Sequence, residues 1–227
     1  MAKRKLERFA AIETFSNVFQ HVQTSQQISD LEQKGKWKES VFTNENPLVL
    51  ELGCGKGEYT VGMSRAEKNK NFLGLDLKGN RIWRGAKTAL DEGINNAAFL
   101  RCRIENIEKA FKKNEVDEIW ITFPDPQPQK TRERKRLTAP GFLNRYRNIL
   151  KPNGKIHLKT DSFALYTYTL EVIKEMGAEL IYETSDLYNS IVPSSVNEPS
   201  LKTIQTHYEN LFSSKGFKIC YIQFKIN

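Results

Sequence analysis

The apolar positions between residues 48 and 226 fall into short runs of about five residues, separated by segments with helical spacing. The run at 48–52 is continuous and stops at Gly53, as expected of a strand buried on both faces of a parallel sheet. Further strands are predicted at 72–76, 98–102, 116–123, 155–159 and 178–183, and an alternating pattern predicts a last one at 217–226. Helical spacing predicts helices over 57–68, 79–92, 139–150 and 162–176. Lys151-Pro152-Asn153-Gly154 reads as a turn between helix and strand. Repeated βα units predict an α/β fold with a doubly wound, mostly parallel, seven-stranded sheet. Ligands bind such sheets beyond the carboxyl ends of the strands.

Residues 1–46 are more polar. Phe9, Ile12, Phe15, Val18 and Phe19 suggest a short amphipathic helix followed by a loose stretch. The expected organisation is an N-terminal helical extension over 1–46 and one domain over 47–227. No apolar run approaches the ~20 residues of a membrane span, and no apolar stretch follows the basic start, so a cytoplasmic protein is expected.

The glycine-rich segment carries the first chemistry. Glu51-Leu52-Gly53-Cys54-Gly55-Lys56-Gly57 ends one predicted strand and opens a helix. Nicotinamide-binding loops space their glycines G-x-G-x-x-G and place a pyrophosphate at the helix start. Here the spacing is G-x-G-x-G behind an acid, which disfavours a pyrophosphate and suits a cationic amino-acid ligand such as S-adenosylmethionine. Asp76, ending the second strand, can accept hydrogen bonds from both hydroxyls of an adenosyl ribose. After the third strand, Arg103 stands where an acid often meets the adenine amino group, which leaves Glu105 or a backbone group for that contact.

A second cluster follows the fourth strand. In Phe123-Pro124-Asp125-Pro126-Gln127-Pro128, three prolines stiffen a turn that holds Asp125 where substrates bind. Lys130-Thr131-Arg132-Glu133-Arg134-Lys135-Arg136 comes next, with five basic residues of seven. Beside a site, such a run can grip the phosphates flanking a target base. Lys3, Arg4, Lys5 and Arg8 offer a second contact of the same kind. The net charge of +8 agrees with a polyanionic partner. Three scattered cysteines and three scattered histidines give neither a disulfide framework nor metal spacing, so no metal site is expected.

These segments, with Lys159-Thr160-Asp161 and Thr206-His207-Tyr208-Glu209, closely resemble the bacterial tRNA (guanine-N7-)-methyltransferase family, in order from about residue 48 to the C-terminus. The resemblance implies a Rossmann-like methyltransferase fold, S-adenosylmethionine as methyl donor, and tRNA as partner, with the variable-loop guanine at position 46 as target. It assigns Glu51, Gly53, Gly55, Asp76, Glu105 and Asp125 to the cofactor, with Asp125 also catalytic. Lys130, Arg132, Asp161, Thr206 and Glu209 go to the tRNA and its guanine. The sequence departs from the family at Gln127, where a Trp is usual, at Gln129, where a substrate lysine is usual, and at Thr131-Arg132, where an Arg-His pair is usual. Arg103 replaces the usual acid. The chain is expected to be a monomer or homodimer. Other readings are a methyltransferase acting on a small molecule or a protein, which leaves the basic run unexplained, and a non-catalytic RNA-binding relative. A nicotinamide dehydrogenase is disfavoured by the glycine spacing and Glu51.

Overall fold

A computed structural model describes residues 2–22, 28–196, 200–206, 209 and 216–226. Its centre is an eight-stranded sheet in the order β1-β4-β3-β2-β5-β6-β8-β7. The strands are β1 (Val18–His21), β2 (Leu48–Leu52), β3 (Asn71–Asp76), β4 (Ala97–Cys102), β5 (Val116–Thr122), β6 (Leu150–Thr160), β7 (Glu179–Thr184) and β8 (Cys220–Lys225). β1 to β6 pair in parallel, and β8 runs antiparallel between β6 and β7. The doubly wound architecture is as expected, with one strand more than the seven predicted.

The extra strand is β1; its Val18 and Phe19 were expected to continue the N-terminal helix, which instead ends at Thr14. β1 pairs with β4 from Val18↔Phe99 to His21↔Cys102. Four residues at a sheet edge, three half-buried and His21 buried, leave too short a pattern to read as a strand. Trp37, further along the N-terminal segment, is also anchored. It is fully buried, donates its ring N–H to the Ala110 carbonyl at 2.9 Å, and stacks on Phe111. The predicted N-terminal helix is α1 (Ala2–Thr14), whose Ile12 is buried.

Alternate residues of the central strands serve opposite faces. Leu48, Leu50, Leu52, Leu73, Leu75, Ala98 and Leu100 join one core. That core also holds side chains of α4 (Ile107–Ala110), α5 (Pro140–Ile149) and α6 (Phe163–Glu175). Val49 and Phe72 face the other way, against Tyr59 and Met63 of α2 (Glu58–Ala66). Phe99 packs there with Ile82 and Ala86 of α3 (Gly79–Asp91). Gly57 and Gly85 are required at this junction, because a Cβ on either would stand 2.6–2.7 Å from the Phe99 ring.

The expected turn at 151–154 does not interrupt the sheet. β6 runs through it from Leu150 to Thr160, with Asn153 at φ 66°. The pairing jumps from Val116↔Leu150 to Glu118↔Lys155, so the turn is absorbed as a bulge at the strand's start. α5 and α6 otherwise lie within a residue of their predicted limits. No helix among the described residues is long and apolar enough to cross a membrane.

Candidate active site

Strand order reverses direction between β2 and β5, which are adjacent: the chain proceeds from β2 through β3 to β4 on one side and from β5 to β6 on the other. The carboxyl ends of these two strands form the cleft where doubly wound sheets take ligands. β2 delivers Glu51 and Gly53 to it, and β5 delivers Thr122 and the loop bearing Asp125.

Glu51 is buried on the α2 face, and its carboxylate is fully engaged. Oε2 accepts the Thr60 backbone N–H at 2.8 Å and also a bond from the Thr60 hydroxyl, while Oε1 accepts the Thr122 hydroxyl at 2.7 Å. Burial pushes its carboxyl up to about 7 against these stabilising hydrogen bonds. Glu51 therefore ties the start of α2 to the end of β5. Gly74 makes this arrangement possible, since a Cβ there would lie 2.6 Å from Thr60 Oγ1.

Gly53, Gly55 and Gly57 have φ of 74°, 56° and 72°. That left-handed path explains the alternating glycines. Around Gly53 and Gly55 the space is open: added Cβ atoms would meet nothing nearer than 3.9 Å. Gly55 N–H donates to Asp76 Oδ2 at 3.0 Å and Lys78 N–H to Oδ1 at 2.7 Å. The Asp76 carboxylate is thus fixed, half-exposed, at the rim of a cavity of about 210 Å³. The cavity's lining includes Gly53, Asp76, Arg103, Glu105, Leu137 and Phe142. An open glycine cradle, a fixed carboxylate and an adjoining half-apolar cavity fit the amino-acid, ribose and adenine parts of S-adenosylmethionine. Glu105 lines the cavity beside Arg103, where it can reach an adenine, the contact that the sequence left to it or to a backbone group. Leu137 and Phe142 were not foreseen, because they reach the site from the segment after the basic run.

Asp125 is exposed, and its Oδ1 accepts the Gln127 N–H at 3.0 Å. Phe123 and Gln127, on either side, have φ of 48° and 45°. Two left-handed non-glycine residues in five hold strain at the cleft, as functional loops often do. Phe123 is pinned by donating its N–H to the Lys159 carbonyl at 2.8 Å. Arg136 donates to the Gln127 carbonyl at 3.3 Å and lies 4.2 Å over the Tyr168 ring. It is therefore an anchor of this loop, whereas Lys130, Arg132, Arg134 and Lys135 are exposed on a tight helical turn, Lys130–Lys135, with Lys135 at the edge of the cavity beside Asp76.

Asp161 follows β6 and is half-exposed. It does not cap α6: the Ser162 hydroxyl accepts the Leu165 N–H. Its carboxylate makes no hydrogen bond among the described residues. Glu209 departs from expectation. It was expected to hold the target guanine, yet it is fully buried. Its oxygens take Lys159 Nζ at 2.6 Å, the Tyr188 hydroxyl and the Thr206 N–H at 3.3 Å. With solvent excluded and these partners in place, it holds the Thr206 segment in shape. Thr206, itself buried, accepts the Glu209 N–H on its hydroxyl oxygen at 3.2 Å. His207, Tyr208 and the side chains of Lys3 and Arg4 lie outside the described residues. Burial pushes the thiols up, Cys54 well above its ordinary value, Cys102 to about 12 and Cys220 to about 11, which leaves no thiolate nucleophile among them at neutral pH.

The fold and the glycine cradle define a class I, S-adenosylmethionine-dependent methyltransferase. A family model described as "Putative methyltransferase" matches residues 45–222. The chain is 51% identical over 226 residues, 99% of both chains, to the tRNA (guanine-N(7)-)-methyltransferase of Christiangramia forsetii. It is 44% identical to the enzyme of that name from Bacteroides thetaiotaomicron, over 100% of this chain and 87% of the relative. Among solved structures, the 16S rRNA methyltransferase KamB matches 89% of this chain and 97% of its own with a TM-score of 0.63 at 14% identity, a likeness of fold. The chain belongs to the tRNA (guanine-N(7)-)-methyltransferase family.

Proposed function

We propose that this protein transfers the methyl group of S-adenosylmethionine to N7 of the variable-loop guanine at position 46 of tRNA, in the cytoplasm. The observation that carries this reading is the 51% identity, over 99% of both chains, to an enzyme named for guanine-N7 methylation of tRNA. Its local support is Asp125, exposed at the β2/β5 switch point directly before a basic turn.

S-adenosylmethionine, when bound, supplies a methyl group already activated on a sulfonium, which a ring nitrogen lone pair can take with no proton removed first. The protein's tasks are then alignment and electrostatics. Gly53 and Gly55 let the backbone pass close to the amino-acid end, and buried Glu51 supplies negative charge beneath it. Asp76 takes the ribose hydroxyls, and Glu105 faces the adenine. Methylation leaves positive charge on the guanine ring. Asp125 is the catalytic group: its carboxylate stabilises that charge as it develops. Asp161, with no hydrogen bond among the described residues, accepts from the guanine edge, and Thr206 orients the base. Glu209 acts through Thr206 as a positioning residue. Lys130 and Arg132 hold the phosphates beside the target.

The test is methyl transfer from labelled S-adenosylmethionine to unmodified tRNA transcripts with and without a guanine at position 46. Incorporation that vanishes with that guanine supports substrate and site together. Incorporation that persists moves the target, and none at all removes tRNA as the substrate.

A further inference from the structure

A second cavity runs from the glycine loop along the outer side of α2 and α3. It measures about 930 Å³, and its lining includes Arg8, Lys56, Arg65, Arg81 and Arg84 against a single acid, Glu58. Arg65 is bound to Glu92 by two hydrogen bonds of 2.9 and 2.5 Å. Among the described residues, no carboxylate lies within ion-pair distance of Arg8, Lys56, Arg81 or Arg84. Four cations therefore share one groove, three of them exposed. Self-repulsion makes such an arrangement costly unless a polyanion enters it. Arg8 is partly preorganised, its guanidinium lying 4.7 Å over the Trp83 ring.

The position of the groove indicates its occupant. One end is Lys56 and Gly57, in the glycine loop itself. Another wall is Thr203, Ile204 and Gln205, directly before Thr206. That wall is held in place: Lys159 donates to the Leu201 and Ile204 carbonyls at 2.9 and 3.4 Å. It also packs closely, because Gly62 leaves room for Ile204, whose Cγ2 would stand 2.9 Å from a Cβ there. The groove thus opens from the target-base site on the α2–α3 face of the sheet. The Lys130–Lys135 turn leads into α5, on the opposite face. A base inserted between them has a phosphate on each side along its strand.

We propose that the α2–α3 groove is a second RNA-backbone surface: Lys56, Arg81, Arg84 and Arg8 take tRNA phosphates on the side of the target base opposite Lys130 and Arg132. This rests on tRNA being the substrate. Arg81 and Arg84 are exposed, so their replacement leaves the core intact.

The experiment compares wild type, R81A/R84A, R81K/R84K and K113A/K174A as full chains. It measures tRNA affinity against salt concentration, methyl transfer to tRNA, and S-adenosylmethionine affinity. Lys113 and Lys174 are exposed at the other end of the sheet and control for net charge. R81A/R84A is expected to flatten the slope of log affinity against log salt by about one unit per lost contact. It should raise KM for tRNA and leave cofactor affinity unchanged. R81K/R84K should keep most of the slope, and K113A/K174A should keep all of it. A wild-type slope in R81A/R84A, or an equal loss in K113A/K174A, overturns the groove while wild-type methylation of tRNA upholds the substrate. Failure of the wild type to bind or methylate tRNA overturns both.

Discussion

Lys159 Nζ lies 2.6 Å from Glu209 Oε1, and both side chains are fully shielded from solvent. Nothing in the run of residues around Lys159 marks it as buried; it stands near the end of β6, where polar residues alternate with Ile156 and Leu158. Burial outweighs the neighbouring carboxylate and lowers the lysine's pKa. The ammonium is held nonetheless, by Glu209, by two backbone carbonyls, and by the Tyr59 and Tyr188 rings at 5.3 and 5.6 Å. It joins β6 to the segment that carries Thr206.

Removing one partner of such a pair strands the other without water. Lys159→Met is expected to cost about 3–5 kcal/mol in urea unfolding. Because the lysine holds Leu201, Ile204 and Glu209, KM for tRNA should rise while cofactor affinity stays near wild type. A variant with wild-type stability and KM would refute the positioning role.

Asp125 contrasts with Glu209 in every respect that matters to substitution. Among the described residues its one hydrogen bond is the turn contact from Gln127, and it is exposed. Asp125→Ala should cost no more than about 1 kcal/mol of stability. Turnover should fall by about 100-fold or more, the scale of losing a charge-stabilising group in a catalytic site. Single-turnover methylation alongside thermal unfolding separates the two effects; turnover close to wild type would remove Asp125 from the chemistry.

Glu51 links pH to both stability and cofactor binding. Its folded pKa of about 7 is above the ordinary 4.5, so between these values the folded chain holds a proton that the unfolded chain has released. The sign follows: this contribution is fully present below pH 4.5 and is lost as pH rises through 7. The loss is on the order of 3 kcal/mol. Glu51→Gln should flatten that part of the stability profile. A cationic ligand beside Glu51 favours the ionised carboxylate, so wild-type binding of S-adenosylmethionine near pH 6.5 should release a proton. Calorimetry in buffers of different ionisation enthalpy reads this directly, and proton-neutral binding would contradict the assignment.

The parallel strands and their helices were legible because both faces of β2 to β5 are largely buried, which writes short apolar runs, those of β2 and β3 ended by Gly53 and Asp76. The cradle was legible because only glycine takes φ near +60° to +75° without strain at three alternate positions. The burial of Glu209 was not legible, because its partner Lys159 is 50 residues away in sequence and only folding brings the two together. Thr60 and Thr122 were invisible for the same reason, since their role comes from meeting across the sheet. The groove cations are spread over three helices and a loop, and only folding collects them.

Residues 1–46 give the last prediction. They were expected to be an extension beside a domain over 47–227, yet they supply β1 and Trp37 to the sheet edge and the core. Trp37 has no exposed surface, fills space against Phe111 and Phe19, with ring centroids 5.5 and 5.3 Å away, and satisfies the Ala110 carbonyl. Trp37→Ala would empty that volume and leave a buried acceptor unpaired, at a cost of about 3–5 kcal/mol. Trp37→Phe keeps most of the volume and should cost markedly less. Deleting 1–46 removes both the tryptophan and the strand covering the β4 edge, so the remainder is expected to unfold at lower denaturant concentration and to aggregate through the exposed edge. A truncated chain that unfolds cooperatively at the wild-type midpoint would show instead that 47–227 folds alone and that the first 46 residues are an accessory.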